Sequence, residues 1–251
     1  MTDSYADKST VNEIRARFDA DVERFSNLET GQVAATGSRL RMDLVSEAAV
    51  ACAPGVRSVL DIGCGAGNYT LRLLQRLAER GVSAADVSVT LLDLSKPMLD
   101  RARQRVAAAG VPEARIQCLQ ADIRDAVLGH QAFDVALAAQ CLHHLRGDDE
   151  WAAVFAKLFA GLEPAGGLWI SDSVEHQSPG VRSMMHARWA ASLEAQGGAD
   201  YRDKVVDYVA REDTPRPLVW QLRLMESVGF TRLDVLQTEE RFAAFGGAKP
   251  A

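Results

Sequence analysis

A glycine-rich turn with one acidic neighbour is the segment of the sequence best suited to ligand chemistry, and it reads V-L-D-I-G-C-G-A-G-N over residues 59–68. Glycines permit positive φ angles and let a ligand approach the backbone where a Cβ would otherwise stand. A dinucleotide site needs the spacing G-x-G-x-x-G, but here Gly63, Gly65 and Gly67 follow Asp61. A carboxylate at this position would repel a pyrophosphate and instead suits a cationic amino-acid group.

This turn resembles motif I of the class I S-adenosylmethionine-dependent methyltransferases, and the resemblance extends over about residues 55–173. L-L-D-L-S at 91–95 and Q-A-D-I at 120–123 match the acidic positions that the family carries after its second and third strands. C-L-H-H-L at 141–145 is similar to the stretch after strand four in the small-molecule branch, and L-E-P-A-G-G at 162–167 to the turn into strand five. The resemblance implies that the chain binds S-adenosyl-L-methionine and releases S-adenosyl-L-homocysteine.

The same resemblance assigns roles to individual residues. Asp93 would hold the ribose hydroxyls, since a carboxylate accepts two hydroxyl protons. Asp122 would bind the exocyclic amine of adenine, with Ile123 against the ring. The cofactor-binding residues that we predict are Asp61, Gly63, Cys64, Gly65, Gly67, Asp93, Leu94, Met98, Asp122, Ile123 and Gln140.

His143 and His144 are the candidate acid/base residues, because the family places this stretch near the sulfonium of the cofactor. A base is needed only when the nucleophile carries a proton that must leave early, so the alternative that both histidines merely shape the pocket wall stays open. Cys141 is interpreted as a buried structural thiol. The clustered carboxylates and the asparagine of metal-dependent catechol enzymes are missing after strand four, and we therefore predict no metal.

The elements that position these residues follow from alternating patterns of hydrophobicity. We predict strands at 56–62, 87–92, 115–119, 133–138, 167–171, 231–237 and 241–245, and helices at 68–80, 97–109 and 148–162. Strands that alternate with helices of this length indicate βαβ units and a parallel sheet. The expected fold class is α/β: a Rossmann-like seven-stranded methyltransferase sheet, mostly parallel with an antiparallel last strand, and helices on both faces.

Two helical segments lie outside this alternation, at residues 1–54 and 174–229. We predict that they are an N-terminal helical lid and a helical insertion covering the substrate site, within a single methyltransferase domain over residues 1–251. The polar stretch at 27–32 would touch the methionine end of the cofactor. The alternative, amphipathic helices that only pack on the domain, stays open.

The second segment interleaves aromatic residues with arginines. Such a mixture suits a planar or anionic small substrate, and we predict that Trp189, Tyr201 and Arg202 bind it. A helical pair that buries its apolar stripe and leaves its arginines in solvent explains the pattern equally well.

Composition limits the class of protein and its partners. The chain has 251 residues, 47% apolar and 25% charged, with a formal net charge of −6. These values exclude a disordered tail or a disulfide-stapled miniprotein, and the acidity makes nucleic acid an improbable partner. No run reaches the ~18 apolar residues of a membrane span, and the polar start lacks the features of a signal peptide. We expect a cytoplasmic monomer or homodimer, whose four cysteines are reduced and mostly buried.

The leading hypothesis is a methyltransferase that acts on O, N or C of a small-molecule acceptor. The missing proline and aromatic residue after strand four argue against enzymes that methylate amino groups of nucleic-acid bases. Two alternatives remain: an RNA- or tRNA-related enzyme, such as a relative of the carboxy-S-adenosylmethionine synthases, and a non-catalytic cofactor-binding partner. That synthase needs an arginine for a carboxylate, for which Arg202 and Arg211 are the candidates.

Overall fold

The computed structural model describes residues 5–27, 34–53 and 55–251. Its strands are β1 (Ser58–Ile62), β2 (Ser88–Asp93), β3 (Ile116–Gln120), β4 (Phe133–Ala139), β5 (Leu162–Ser173), β6 (Thr231–Glu239) and β7 (Phe242–Ala248). Its helices are α1 (Val11–Ala20), α2 (Val22–Ser26), α3 (Ser38–Cys52), α4 (Asn68–Glu79), α5 (Lys96–Ala108), α6 (Asp148–Gly161), α7 (Pro179–Glu212) and α8 (Leu218–Val228).

The strands form one seven-stranded sheet in the order β3-β2-β1-β4-β5-β7-β6. Strands β1 to β5 are parallel, whereas β7 pairs antiparallel with both β5 and β6. The arrangement confirms the predicted α/β fold with its mostly parallel sheet and its antiparallel last strand. The carboxyl ends of the parallel strands therefore share one edge, where ligands bind in such folds.

Successive side chains of the central strand β1 enter two different apolar clusters, because side chains alternate across a strand. Val59 packs in a cluster with residues of α3, α4 and α5. Leu60 and Ile62 pack in a second cluster with residues of α6 and α8. Burial on both faces explains why β1 and β4 read as nearly continuous apolar runs, and it fixes the direction in which the loops after these strands point.

Strand β5 is longer than the predicted span of 167–171, because pairing with β4 already starts at Leu162. The register shifts between Phe133 and Val135, so the predicted turn at 162–167 forms an irregular part of the strand. A Cβ on Gly166 would lie 3.0 Å from the carbonyl oxygen of Asp134. This close approach explains why a glycine stands where the regular pairing resumes.

The two helical segments reach different parts of the molecule. In the first, Ile14 of α1 is buried, and α3 packs against the sheet in the same cluster as Val59. In the second, α7 breaks at Gly198, whose φ is 81°. Helix α8 packs through Met225 with α6 in the layer that covers the sheet. Only α7, of the two helices between β5 and β6, lines the cleft described below.

The cysteines deviate from the expectation of mostly buried thiols. All four are free, but Cys52 and Cys118 are exposed, while Cys64 is buried and Cys141 half-buried. Cys52 ends α3 at the surface, and Cys118 lies on the edge strand β3, where one face of the sheet is open. Among the described residues, no helix combines the length and the hydropathy needed to cross a membrane.

Candidate functional site

A cleft with an empty volume of about 1530 Å³, counted with the part open to solvent, lies at the carboxyl ends of β1, β2 and β4. Helices α1 and α7 supply its outer wall. Most of the predicted site residues line it, namely Asp61, Gly63, Cys64, Gly65, Asp93, Leu94, Met98, Asp122, Ile123, Gln140, His143, His144 and Trp189. The structure thus brings together residues that lie up to 128 positions apart in the sequence, from Asp61 to Trp189.

Asp61, near the end of β1, is only 1% exposed. Its Oδ2 accepts hydrogen bonds from the hydroxyl of Thr70 at 2.6 Å and from the Thr70 backbone at 3.3 Å. Its Oδ1 is buried and has no hydrogen-bond partner among the described residues. Burial raises the pKa of Asp61 to about 7, although the hydrogen bonds from Thr70 act against the rise. A cationic ligand would satisfy both the free oxygen and the buried charge.

Asp93, the last residue of β2, fixes the glycine turn. Its Oδ2 accepts the backbone N–H of Gly65 at 2.8 Å, and its Oδ1 accepts that of Ser95 at 2.8 Å. Burial raises the pKa of Asp93, and the two backbone hydrogen bonds oppose this rise. Each carboxylate oxygen keeps a second lone pair for a ligand hydroxyl.

The glycines of the turn have different roles. Gly63, Gly65 and Gly67 all have positive φ angles, of 60°, 50° and 80°. A Cβ on Gly65 would meet no atom within 4 Å, so the backbone is open to a ligand there. A Cβ on Gly67 would lie 3.3 Å from that of Ala102. Gly67 does not line the cleft, and it permits the close packing of α4 on α5 instead.

Asp122, in the turn after β3, forms an ion pair with Arg124, which no motif in the sequence indicates. Arg124 donates to both of its oxygens, at 3.0 Å and 2.7 Å. The net effect is a lowered pKa of Asp122: burial acts to raise it, and the hydrogen bonds from Arg124 outweigh burial. Arg124 also pairs with Glu150 of α6. The carboxylate is therefore held in place before any ligand binds.

His143 and His144 lie in a short turn after β4, with ring centroids 4.2 Å apart. His143 Nδ1 hydrogen-bonds to Asp172 at the end of β5, and its Nε2 lies 3.6 Å from Asp213. Burial opposes the charged ring, yet the carboxylates of Asp213 and Asp172 raise the pKa of His143 to about 9. Burial and the adjacent His143 lower the pKa of His144 well below its usual value. The pair thus combines two rings of very different basicity.

Cys141 packs against the glycine turn. Its Sγ lies 3.2 Å from the backbone oxygen of Ile62, and burial raises the pKa of the thiol well above its usual value. A protonated thiol is a poor nucleophile. These contacts support the interpretation of Cys141 as a structural residue.

Two residues predicted for the substrate site lie elsewhere. Arg202 forms ion pairs with Glu194 and Asp203 on the same helix, and Tyr201 packs in an apolar cluster that also contains Trp189 and Phe242. Neither side chain lines the cleft. The backbone of α7 is non-helical at Gly198, between Trp189 and these two residues. The mixture of aromatic residues and arginines in the sequence therefore does not identify which of them line the cleft. The polar stretch at 27–32 falls, apart from Asn27, outside the described residues.

Asp172 and Asp213 belong to the site, and neither of them was predicted from the sequence. Asp172 accepts the backbone N–H of Leu142 at 2.8 Å and thereby shapes the turn that holds both histidines. Asp213 directly follows α7, 70 residues after His143. An acidic residue at the end of strand five was visible in the sequence, whereas the approach of Asp213 depends on the path of the whole insertion.

Helices α1 and α7 are joined by an ion pair, and Lys8, just before α1, adds hydrogen bonds to the end of α7. Arg17 donates from Nε to Glu212 at 2.8 Å and from Nη2 to the second carboxylate oxygen. Lys8 donates to the backbone oxygens of Ala210 and Asp213, at 2.6 Å and 2.8 Å. Glu212 is only 6% exposed, so the pair with Arg17 compensates a charge that water does not reach.

Replacing Arg17 by alanine should lower the free energy of unfolding by about 1–2 kcal/mol, because Glu212 would remain buried without its partner and Arg17 itself is partly exposed. Urea denaturation measures the loss, and limited proteolysis of α1 reports its release. Arg15→Ala on the exposed face of the same helix is the matched control. Equal stability of the two variants would contradict a role for the Arg17–Glu212 pair in holding α1.

Similarity to known proteins covers the part of the chain that carries this site. Residues 59–166 match the family model described as a methyltransferase domain. An uncharacterized methyltransferase of Mycobacterium tuberculosis is 31% identical over 129 residues, which are 51% of this chain and 55% of that protein. The indolepyruvate C-methyltransferase of Streptomyces griseus is 26% identical over 183 residues, 68% of this chain and 53% of that protein. The chain thus spans about half the length of these curated relatives.

One further relative bears on the alternative considered above. The carboxy-S-adenosyl-L-methionine synthase of Shewanella amazonensis is 24% identical over 198 residues, 77% of this chain and 76% of that protein. Among solved structures, an O-methyltransferase family protein from Burkholderia thailandensis superimposes with a TM-score of 0.63 at 18% identity, covering 94% of this chain and 62% of that one. The structural likeness supports the fold described here.

Proposed function

We propose that this chain, whose residues 59–166 match a methyltransferase domain, is a class I S-adenosylmethionine-dependent methyltransferase that transfers a methyl group to O, N or C of a small-molecule acceptor. The observation that carries the proposal is the buried Asp61, which lines the cleft and whose Oδ1 lacks a hydrogen-bond partner among the described residues. A bound ammonium group supplies the missing donor and the missing charge.

Other residues of the cleft fit the same cofactor. The open backbone at Gly65 accommodates a close ligand, and Asp93 keeps one lone pair on each oxygen for the two ribose hydroxyls. Asp122 and Ile123 line the same cleft, and in this proposal they bind the adenine. When bound, S-adenosyl-L-methionine supplies an electrophilic methyl carbon on a sulfonium centre.

The chain's own contribution to methyl transfer is positioning and exclusion of water. Phe18 of α1 packs against Phe25, with ring centroids 5.3 Å apart, and against the edge of His144 at 6.2 Å. Trp189 of α7 closes the opposite side and donates its indole N–H to the carbonyl of Ala34 at 2.9 Å. Helices α1 and α7 act as the cover of the site in this proposal, which leaves a dry space for an acceptor next to the methyl group.

The acid/base role of His143 and His144 stays a prediction. Both rings lie in the cleft, but positioning alone suffices for an acceptor that carries no proton to lose. Cytoplasmic location and the monomer or homodimer state also stay predictions, as does the absence of nucleic acid among the partners.

Calorimetric titration with S-adenosyl-L-homocysteine tests the cofactor site, and release of that product from S-adenosyl-L-methionine tests turnover. We expect saturable binding and product release with at least one member of a panel of small aromatic and aliphatic acceptors. Binding without product across the panel would favour a non-catalytic cofactor-binding partner, and absence of binding would contradict the proposal.

The raised pKa of Asp61 predicts that cofactor affinity depends on pH. The ammonium group needs the ionised carboxylate, and at pH values below about 7 the free protein must first release the proton. The Kd should therefore rise about tenfold between about pH 7.5 and about pH 6. Asp61→Asn should bind more weakly at the higher pH and lose most of this dependence, whereas an equal pH profile in both proteins would exclude Asp61 as its source.

The raised pKa of Asp61 also affects the stability of the ligand-free protein, with a pH dependence opposite to that of cofactor affinity. Because the pKa of Asp61 is higher in the folded than in the unfolded chain, the native state binds more protons than the unfolded state between about pH 4 and pH 7. The contribution of Asp61 to the free energy of unfolding therefore falls as the pH rises through this range.

A carboxy-S-adenosylmethionine synthase is the weaker candidate. The arginines considered for its carboxylate do not suit that role, since Arg202 is paired with two acidic residues. Arg211 has an exposed side chain 3.6 Å from Asp207. Neither arginine lines the cleft.

A further inference from the structure

Three side chains at one wall of the cleft bring metal-ligating atoms together. His143, His144 and Asp213 each place one such atom within 4.8 Å of the others. Asp213 Oδ1 lies 3.6 Å from His143 Nε2 and 3.8 Å from His144 Nδ1. An ion bound at about 2.1 Å from each ligand spans donor separations of up to about 4.2 Å, so the two distances from Asp213 fit a shared cation. The two ring nitrogens lie within 4.8 Å of each other and would have to meet the same limit.

His143 is oriented as a metal ligand usually is. Its Nδ1 hydrogen-bonds to Asp172, which leaves Nε2 directed towards Asp213. Histidine ligands almost always donate their second ring N–H to a carboxylate, carbonyl or water. Asp172 is itself fixed, because it accepts the backbone N–H of Leu142 at 2.8 Å and that of Ser173 at 2.7 Å. This support is independent of the proximity of the three ligand atoms.

Each of the other two side chains offers one ligand atom, which for His144 is Nδ1, the ring nitrogen that lies nearer Asp213. His144 Nε2 is buried without a partner among the described residues, and its Nδ1 is 3.4 Å from the backbone oxygen of Glu212. The carboxylate of Asp213 is buried, and its Oδ1 lies 3.6 Å and 3.8 Å from nitrogens of the two imidazole rings. Burial raises the pKa of Asp213, whereas the charges of His143 and Arg241 act against the rise. A metal ion bound there would add to this compensation of the buried charge.

We propose that His143, His144 and Asp213 bind a divalent transition-metal ion, with Asp172 as the residue that orients His143. Two imidazoles and one carboxylate are the donor set of open zinc and non-heme iron(II) sites, which keep further positions for water or a ligand. Here those positions would face the cleft. The proposal differs from the expectation of no metal, which rested on the residues after strand four and did not include Asp213.

This inference does not depend on methyl transfer, since metal binding is measured directly. The untagged full chain is stripped with a chelator and titrated with Zn²⁺ and Co²⁺ by calorimetry, and the visible absorption of bound Co²⁺ reports its ligand geometry. We expect about one equivalent of Zn²⁺ per chain. His144→Ala and Asp213→Asn should each weaken binding about 100-fold or more, and Asp172→Asn about 10- to 100-fold.

His130→Ala is the matched control, because His130 is exposed and outside the cluster. Asp213→Asn preserves the size of the side chain, and its far-UV circular dichroism spectrum and urea unfolding curve verify that the chain is still folded. Zn²⁺ binding that is equal in the parent chain, His144→Ala and Asp213→Asn would overturn the proposal, as would the absence of binding by the parent chain. Loss of cofactor binding with retained metal binding would instead count against the proposed function.

Discussion

Asp93→Ala is expected to weaken binding of S-adenosyl-L-homocysteine by about 100-fold or more, equivalent to about 3 kcal/mol. The substitution removes the acceptor that we propose for the ribose hydroxyls and, at the same time, the acceptors for the backbone N–H groups of Gly65 and Ser95. Hydrogen bonds to a charged group contribute about 1.5–3 kcal/mol each. The glycine turn would then lose both its ligand contact and the contact that fixes its shape.

Two further variants make the Asp93 experiment specific. Asp93→Asn keeps one acceptor oxygen and turns an amide donor towards a backbone N–H, so its Kd should lie between those of the parent and the alanine variant. Asp100→Ala changes an exposed aspartate that pairs with Lys96 on α5, and it should leave the Kd unchanged. A Kd for Asp93→Ala within about threefold of the parent value would contradict the assignment of this carboxylate to the cofactor.

Gly63→Ala should cost at least about 3 kcal/mol in the free energy of unfolding and abolish cofactor binding. The residue has φ 60°, a conformation that costs a non-glycine residue about 1 kcal/mol or more. The new methyl group would also lie 2.5 Å from the Cβ of Cys141 and 3.1 Å from its Sγ. Overpacking of this kind typically adds about 1–3 kcal/mol. Urea denaturation and calorimetric titration measure the two effects.

The clash with Cys141 can be separated from the backbone strain at Gly63. The double variant Gly63→Ala, Cys141→Gly removes the opposing Cβ and should recover part of the stability, leaving the cost of the positive φ. Gly55→Ala is the control, since a Cβ there meets no atom within 4 Å and its φ is not in the left-handed region. If the double variant were as unstable as the sum of its single variants, the contact with Cys141 would not be the cause.

Much of the fold could be predicted because its signals are local. Alternating apolar strands and amphipathic helices located β1 to β4 to within about two residues, whereas β5 starts five residues before the prediction. Asp61 and Asp93 were found because they lie near strand ends, where the family motifs also lie. Gly67 shows where a motif is less informative. It belongs to the same glycine pattern as Gly65, but its lack of a side chain serves the packing of α4 on Ala102.

The parts of the site that could not be predicted depend on distant segments. Asp213 approaches His143 only because α7 ends beside the turn after β4, where the backbone N–H of Thr214 donates to the oxygen of His143 at 2.7 Å. Tyr201 and Arg202 follow the break at Gly198, which no hydrophobic period reveals. Arg124 donates hydrogen bonds to the carboxylate of Asp122, two positions earlier in the chain, and a comparison of motifs does not include this contact.

The contacts of Lys8 and Arg17 with the end of α7 have a consequence for the dynamics of the molecule. Neighbouring elements that share such contacts can open together as one cooperative unit, with a free energy below that of the central sheet. The first helix and the last turns of α7 would then exchange their amide hydrogens at a common rate, although nearly 200 residues separate Arg17 from Glu212 in the chain. Admission of small molecules to the cleft would in that case be governed by a single local unfolding equilibrium.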